Sequence, residues 1–389
     1  MMEVALVESD RSEEPALYER PIRVSFMIDD LSRAGTESQL LALIRTLDRD
    51  KVEPTLVLLN GEGEASRSLE PDNCPVLRLG VKRMIGLKGW NAARRLRKFW
   101  REHRPDVAQI YFLDSAYLGV PVAKWAGVRK VVRVRNNLGY WQTRKHRTLS
   151  RFLRPMVDVN LTNSESGRTA LQTLDRLAPE RVQVIENGVD LERFPVPVRT
   201  RNSVEPVRIG AVANLRAVKN IDGLVRAAKM VIDRHPKSTF EVAGEGEQRP
   251  ELERLIRDIG LVDRFILKGA VADVPGFLNG IDIAVLPSHS EGMSNAVLEY
   301  MAAGKPVVAT EVGANGHVLG YGSAGVLVPP GDDAALAEAI CRLIADPKET
   351  VRLGRKARLR VEEEYSREAM RRRFEQFFHH LARGADSLD

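Results

Sequence analysis

The sequence predicts an α/β protein built from two doubly wound, parallel-sheet domains. Three observations support this: short β-branched runs alternate with amphipathic helical patterns, the alternation breaks once in a proline-bearing stretch near Asn187, and it then restarts in a second series of similar length. Strands joined by crossover helices pair in parallel, so each series is expected to form its own sheet with helices on its faces. A chain of 389 residues with 43% hydrophobic and 29% charged side chains can bury two cores of ordinary size, which excludes a disordered or fibrous protein.

Residues 1–20 carry six acidic side chains and no apolar core of signal-peptide length, and read as a flexible acidic tail. Residues 21–188 form the first expected domain. IRVSFMI (Ile22 to Ile28) is a buried strand, followed by a helix from about Glu37 with Leu40, Leu41, Leu43, Ile44 and Leu47 at helical spacing. TLVLL, VLRL, VAQIYF, KVVRV, DVNLT and RVQVI repeat the strand signal. Residues 189–206, rich in proline and charge and without periodicity, form the linker. In residues 207–365 the strands are RIGAV, TFEVAG, RFILKG, DIAVLPS, PVVAT and GVLV, separated by helices such as NIDGLVRAAKMVIDRH and DDAALAEAICRLIAD. Residues 366–389 belong to a helical, strand-free end that is expected to cross back to the first domain.

Several function classes drop out on composition. Cys74 and Cys341 are too few for a disulfide framework or a cysteine metal site, and point to reduced thiols in a cytoplasmic protein. No apolar run approaches the roughly 18 residues of a membrane span. One D-x-D occurs, at Asp48 and Asp50, but it ends an amphipathic helix instead of following a strand and reads as a solvated terminus, so no metal site is expected.

Ligands of doubly wound sheets bind beyond the carboxyl ends of the strands, and the strongest constellation lies there. After IAVLP comes SHSEGMSNAVLEYMAAGKPVVAT, with Glu291 in the loop and Glu299 about one turn inside a helix that starts near Asn295. The backbone amides of Met293 to Ala296 sit at the positive end of that helix, where a phosphate binds well, the two carboxylates can accept hydroxyls on either side of it, and Gly292, Met293, Ser294 and Asn295 are expected on the donor side.

This segment resembles the E-x7-E region of the glycosyltransferase family 4 enzymes, retaining sugar-nucleotide transferases of the GT-B fold. VIENGVDLERF resembles the family's interdomain stretch, NLRAVKNIDGLVRA its phosphate loop and AGEGEQRPELERL its G-x-G turn. The resemblance implies that Glu299 holds the ribose hydroxyls, Glu291 the transferred sugar, and Lys219 the diphosphate. The family's usual arginine is replaced here by Asn214, with Arg216 two positions later as the substitute. Gly35, within Arg33-Ala34-Gly35-Thr36-Glu37, matches the family's glycine-rich loop, and Gly244 the G-x-G turn. The implied donor is a nucleoside diphosphate sugar, a uridine diphosphate sugar first and guanosine diphosphate mannose second, with no further cofactor required and the leaving phosphate as base.

Departures from the family lie in the first domain. Its histidines after the fourth and fifth strands are missing, and Tyr111, Asp114, Arg135 and Asn136 occupy those positions, reading equally as loop residues or as acceptor contacts. The family's G-G-N-P-E is Gly313-Ala314-Asn315-Gly316-His317 here. His289 and His317 read as lining residues, since no metal-ligand spacing surrounds them.

The formal net charge of +6 averages over opposites: residues 78–154 hold 20 Lys/Arg against 3 Asp/Glu, a local balance of +17. WNAARRLRKFWREHR within it reads either as a crossover helix with a solvated basic face or as a dock for an anionic membrane; no nucleic-acid module is visible. The sequence therefore points to a metal-independent retaining glycosyltransferase acting on a glycan or lipid-linked acceptor, cytoplasmic or peripheral on the inner face of the plasma membrane. The alternatives are a sugar-nucleotide epimerase or hydrolase on the same fold, and a non-catalytic sugar-nucleotide or membrane-binding protein.

Overall fold

A computed structural model describes residues 20–32, 34–81, 86–136, 144–195 and 206–383. The acidic tail apart from Arg20, Arg33 of the glycine-bearing loop, and most of the expected linker lie outside the described residues.

All thirteen expected strands form. The first sheet contains β1 (Ile22–Ile28), β2 (Val52–Leu58), β3 (Val76–Arg78), β4 (Val107–Ile110), β5 (Lys130–Val134), β6 (Val159–Thr162) and β7 (Val182–Val184). The second contains β8 (Arg208–Val212), β9 (Thr239–Ala243), β10 (Phe265–Gly269), β11 (Ile283–Leu286), β12 (Val307–Thr310) and β13 (Val326–Val328). Their orders are β3-β2-β1-β4-β5-β6-β7 and β10-β9-β8-β11-β12-β13. Every pairing within them is parallel.

Around the first sheet run α1 (Gly35–Thr46), α2 (Glu64–Arg67), α3 (Leu87–His103), α4 (Leu113–Ala126), α5 (Arg144–Leu153) and α6 (Glu165–Leu174). Around the second run α7 (Ile221–Arg234), α8 (Arg249–Asp258), α9 (Val274–Gly280), α10 (Asn295–Ala302), α11 (Asn315–Val318), α12 (Asp333–Ala345) and α13 (Pro347–Glu364), with α14 (Arg367–Arg383) last. Helices cover both faces, so central strands are apolar almost throughout: Phe26, Met27 and Ile28 of β1 are all fully buried. The fully buried polar residue on β1, Ser25, accepts a hydrogen bond at 2.7 Å from the indole nitrogen of buried Trp100 on α3.

In both sheets the strand order reverses at the middle, between β1 and β4 and between β8 and β11. Loops leaving those strands diverge to opposite faces and open a crevice at each switch point. The chain passes between the two sheets twice, and the two passages lie side by side. The amide of Val189 donates to Tyr365 O at 2.9 Å, and the amide of Arg367 donates to Val189 O at 3.0 Å.

After the second passage α14 packs on the first sheet. Its apolar face, Met370, Phe374 and Phe378, joins the core of β1 and α1, and the Phe378 ring meets Phe26 edge-on at 6.0 Å between centroids. Asp48 and Asp50 lie just past α1, where the Asp48 carboxylate accepts from the Asp50 amide and the Asp48 amide donates to Glu375 on α14. Because Phe378 is fully buried, Phe378→Ala is expected to destabilise the chain by about 3–5 kcal/mol while leaving the second core intact. Urea unfolding read by probes placed in each half checks this; equal loss in both halves would refute it.

Candidate active site

The second domain presents one charged cluster at its switch point. Lys219 ends the short turn after β8, and Asn220, in the left-handed region at φ 52°, ends that turn and donates to Pro287 O at 3.1 Å. This bond ties the loop after β8 to the loop after β11. Lys219 Nζ then reaches Glu291 Oε1 at 2.6 Å, and Ser288 Oγ donates to the same oxygen at 2.7 Å. Both side chains are largely buried, so the pair is a strong, charge-assisted contact held by two backbone segments, the loops after β8 and β11.

Glu299 occupies the fifth position of α10, whose N-cap is Ser294, with its Oγ accepting from the Val297 amide at 3.5 Å. Burial raises the Glu299 carboxyl to about 7, an effect partly offset by Arg193. Under the same helix, Tyr300 is fully buried and its hydroxyl accepts from the Val212 amide at 2.6 Å, which fixes α10 against β8. Asn214 and Arg216 are exposed on the loop after β8, beside the ion pair in sequence. Gly244 follows β9 with its Cα against Ala213 O, which brings the two loops together.

The N-terminus of α10 also meets the first domain. Asn295 Oδ1 accepts from Gln39 at 3.1 Å and from Asn187 at 2.8 Å, while its Nδ2 donates to Gly35 O at 3.2 Å. Gly292 touches the other domain directly: a Cβ there would stand 2.3 Å from Asn136 O, so no other residue fits this approach. Met293 is buried, its sulfur accepting from the Asn187 amide at 3.2 Å. His317 pairs with Glu186 at 3.2 Å, which adds another contact between the two halves.

Opposite this cluster the first-domain switch point holds a cavity of about 390 Å³, lined by Asp29, Tyr111, Asp114, Arg133, Arg135 and Asn136 among others. Tyr111 is buried, and its hydroxyl accepts from Gln109 at 2.7 Å. Asp114 is exposed at the start of α4. Arg135 is ion-paired with Asp175, and burial together with neighbouring Arg133 lowers its pKa to about 10. Asp29 accepts from the Ser115 amide at 2.8 Å and from its hydroxyl at 2.6 Å, and burial raises its pKa.

Thus one side of the cleft carries Lys219, Glu291, Glu299, Arg216 and the amino end of α10. The other carries Tyr111, Asp114, Arg135 and Asn136 around a cavity. Sequence reasoning passed over Gln39, Asn187, Asp29 and Arg133. The last had a readable signal, a charge among valines in KVVRV; the first three are ordinary polar residues whose partners lie far away in sequence.

The model of the family described as "Glycosyl transferases group 1" matches residues 206–346, and that of "Glycosyltransferase Family 4" matches residues 33–193. The chain belongs to these glycosyltransferases. It is 28% identical to a glycogen synthase of Mycobacterium tuberculosis over 70% of this chain and 69% of that one. It is 27% identical to a lipopolysaccharide core biosynthesis glycosyltransferase of Rhizobium meliloti over 81% and 86%. The crystal structure of Anabaena HepE in complex with UDP superposes with a TM-score of 0.80 at 19% identity, covering 92% of this chain and 99% of that one. The same Anabaena protein with UDP-glucose gives 0.76 at 21% identity, over 92% and 99%. The glycosyltransferase thus has the GT-B fold.

Glu299 has a consequence for stability. Its folded pKa of about 7 lies above the ordinary carboxylate value, so the folded state binds the proton more tightly than the unfolded state. The charge-free Glu299→Gln glycosyltransferase should match the parent near pH 5 and become more stable than it, by about 1–3 kcal/mol, as pH rises to about 8. Thermal melts across that range test this; parallel pH profiles would contradict it.

Proposed function

We propose that this glycosyltransferase moves a sugar, with retention and without a metal ion, from a nucleoside diphosphate sugar to a glycan or lipid-linked acceptor in cell-surface polysaccharide or glycoconjugate synthesis. The observation that carries the reading is the Lys219–Glu291–Ser288 cluster beside the amino end of α10, facing a cavity in the other domain.

Breaking the anomeric C–O bond places growing negative charge on the diphosphate. Preorganised cations and backbone amides stabilise that charge more in the transition state than in the ground state. Lys219, Arg216 and the amides from Gly292 to Asn295 supply such a field. Glu291 is held on one oxygen by Lys219 and Ser288, which suits it to accept sugar hydroxyls and makes it a poor nucleophile. Glu299, one turn inside α10, is assigned to the ribose hydroxyls. Retention then has the acceptor enter on the face from which the diphosphate leaves, with a phosphate oxygen taking its proton. A uridine diphosphate sugar is the first choice of donor, supported by the UDP and UDP-glucose named for the Anabaena structures, and guanosine diphosphate mannose is the second.

Gly35, Asn214 and Gly244 are assigned to the donor side through their loops, and Tyr111, Asp114, Arg135 and Asn136 to the acceptor side. The acceptor side also carries a basic aromatic surface. Trp90 of α3 stacks on Trp125 of α4 at 5.6 Å, the Arg97 guanidinium lies 4.4 Å over the Trp125 ring, and Arg94 and Arg101 are exposed nearby. Leu87, 89% exposed at the start of α3, adds an apolar edge. Exposed indoles framed by arginines suit the interface of an anionic bilayer, and would hold the protein on the inner face of the plasma membrane beside a lipid-linked acceptor.

Two measurements test this. Lys219→Ala and Glu291→Ala should each lower the transfer rate by about 10²–10³-fold with the native circular dichroism spectrum retained, although each leaves its partner's charge uncompensated and lowers the melting temperature, and a panel of nucleotide sugars should contain one that raises the parent's melting temperature. Wild-type transfer rates in either variant would overturn the donor assignment. Binding to phosphatidylglycerol-containing vesicles at low salt should be strong and should vanish in Arg94→Glu/Arg101→Glu; no binding by the parent would remove the membrane reading.

A further inference from the structure

The mechanism leaves one buried charge unused. Arg133 on β5 is only 4% exposed and lines both the first-domain cavity and a smaller one of about 30 Å³ that also holds Arg135, Ser150 and Asp175. Its Nη2 donates to Ser150 at 3.2 Å, a neutral partner. Its Nε has no hydrogen-bond partner, and among the described residues no carboxylate forms an ion pair with it. The buried hydroxyl of Tyr117, close enough to interact with this guanidinium, also has no partner. Arg135, two positions along the same strand, adds a second guanidinium whose charge is shared with Asp175. A lone arginine withdrawn from water is strongly unfavourable unless an anion completes it.

The rest of the cavity indicates what carries that anion. Asp29 lies on the loop after β1 and Asp114 in the first turn of α4, and neither forms an ion pair with Arg133 or Arg135 among the described residues. Carboxylates there accept hydroxyls, while a planar guanidinium fork matches the oxygens of a phosphate. The volume of about 390 Å³ is that of a small-molecule site.

We propose that this cavity is an acceptor subsite for a phosphate group, held by Arg133 with Arg135 beside it, so that the acceptor is a polyhydroxylated molecule bearing a phosphate ester. The inference rests on the glycosyltransferase reading of the cleft and specifies the chemistry of its acceptor. No catalytic role is assigned to Arg133.

The test uses the full chain saturated with UDP, so that the donor side cannot take up the probe. Calorimetric titration with inorganic phosphate should show saturable binding, weakened at least tenfold in Arg133→Met. In phosphate-free buffer Arg133→Met should melt at or above the parent's temperature, because an uncompensated charge has been removed, and it should lose the rise that phosphate gives the parent. An arginine that serves only packing predicts a lower melting temperature with phosphate binding unchanged. Should Arg133→Met fail to fold, Arg133→Lys, which keeps the charge and loses the fork, should still bind phosphate more weakly than the parent. Phosphate binding unchanged in the folded variant, or absent from the UDP-saturated parent, overturns the proposal. Failure of UDP itself to bind instead strikes the donor assignment. Competition with inorganic phosphate by glycerol 3-phosphate indicates a soluble acceptor, and competition only by vesicles of phosphatidic acid in phosphatidylcholine indicates a lipid phosphate.

Discussion

Parallel pairing is the constraint on which the rest of this structure depends. In an all-parallel sheet every strand delivers its carboxyl end to the same edge, and every return runs through a covering helix. All the loops that can carry chemistry are therefore concentrated on one edge of each sheet. Reversal of strand order at β1/β4 and β8/β11 splits those loops into two groups and leaves room between them. The ion pair of Lys219 and Glu291 and the cavity beside Arg133 occupy these two openings. Neither site required a special fold; each required particular side chains at a place the topology had already vacated.

The cleft is also where charges are kept out of water, and they are treated differently. Lys219 and Glu291 neutralise each other at short range, so their burial is tolerated. Glu299 forms no ion pair among the described residues, is only partly offset by Arg193, and responds by holding its proton up to about pH 7. Arg133 cannot follow that course, because a guanidinium does not give up its proton in this range. Asparagine side chains, which carry no charge and offer both donor and acceptor, bridge the domains at Asn187 and Asn295, beside the contacts of Gln39 and of His317 with Glu186.

What could be read in the sequence was what is local. The thirteen strands were legible because fully buried parallel strands are runs of β-branched and aliphatic residues, as in IRVSFMI and KVVRV. The E-x7-E segment was legible because strand, loop and helix follow one another within a few residues. Asn295 was visible as a helix-opening, donor-side residue; its side chain bonds Gly35, 260 positions away, and no periodicity encodes such a partner. Arg133 sits where strand alternation predicts an inward side chain, and the surrounding valines drew attention to the strand instead of to its one charge. The structure supplied what those local patterns lack, namely the pairing of distant loops.

The two passages between the domains bear on motion. Backbone hydrogen bonds join Val189 to both Tyr365 and Arg367, so the outgoing and returning chains form one short, laced strip instead of two separate tethers. Two separate tethers would let the domains slide, twist and part. A laced strip resists shear, since sliding one strand past the other breaks both bonds, yet it still folds along its length. A swing of the two halves about that strip, like the covers of a book about its spine, would leave both bonds intact, whereas a slide would break them. The same strip keeps Gly292 in register with Asn136 and Asn295 in register with Gly35.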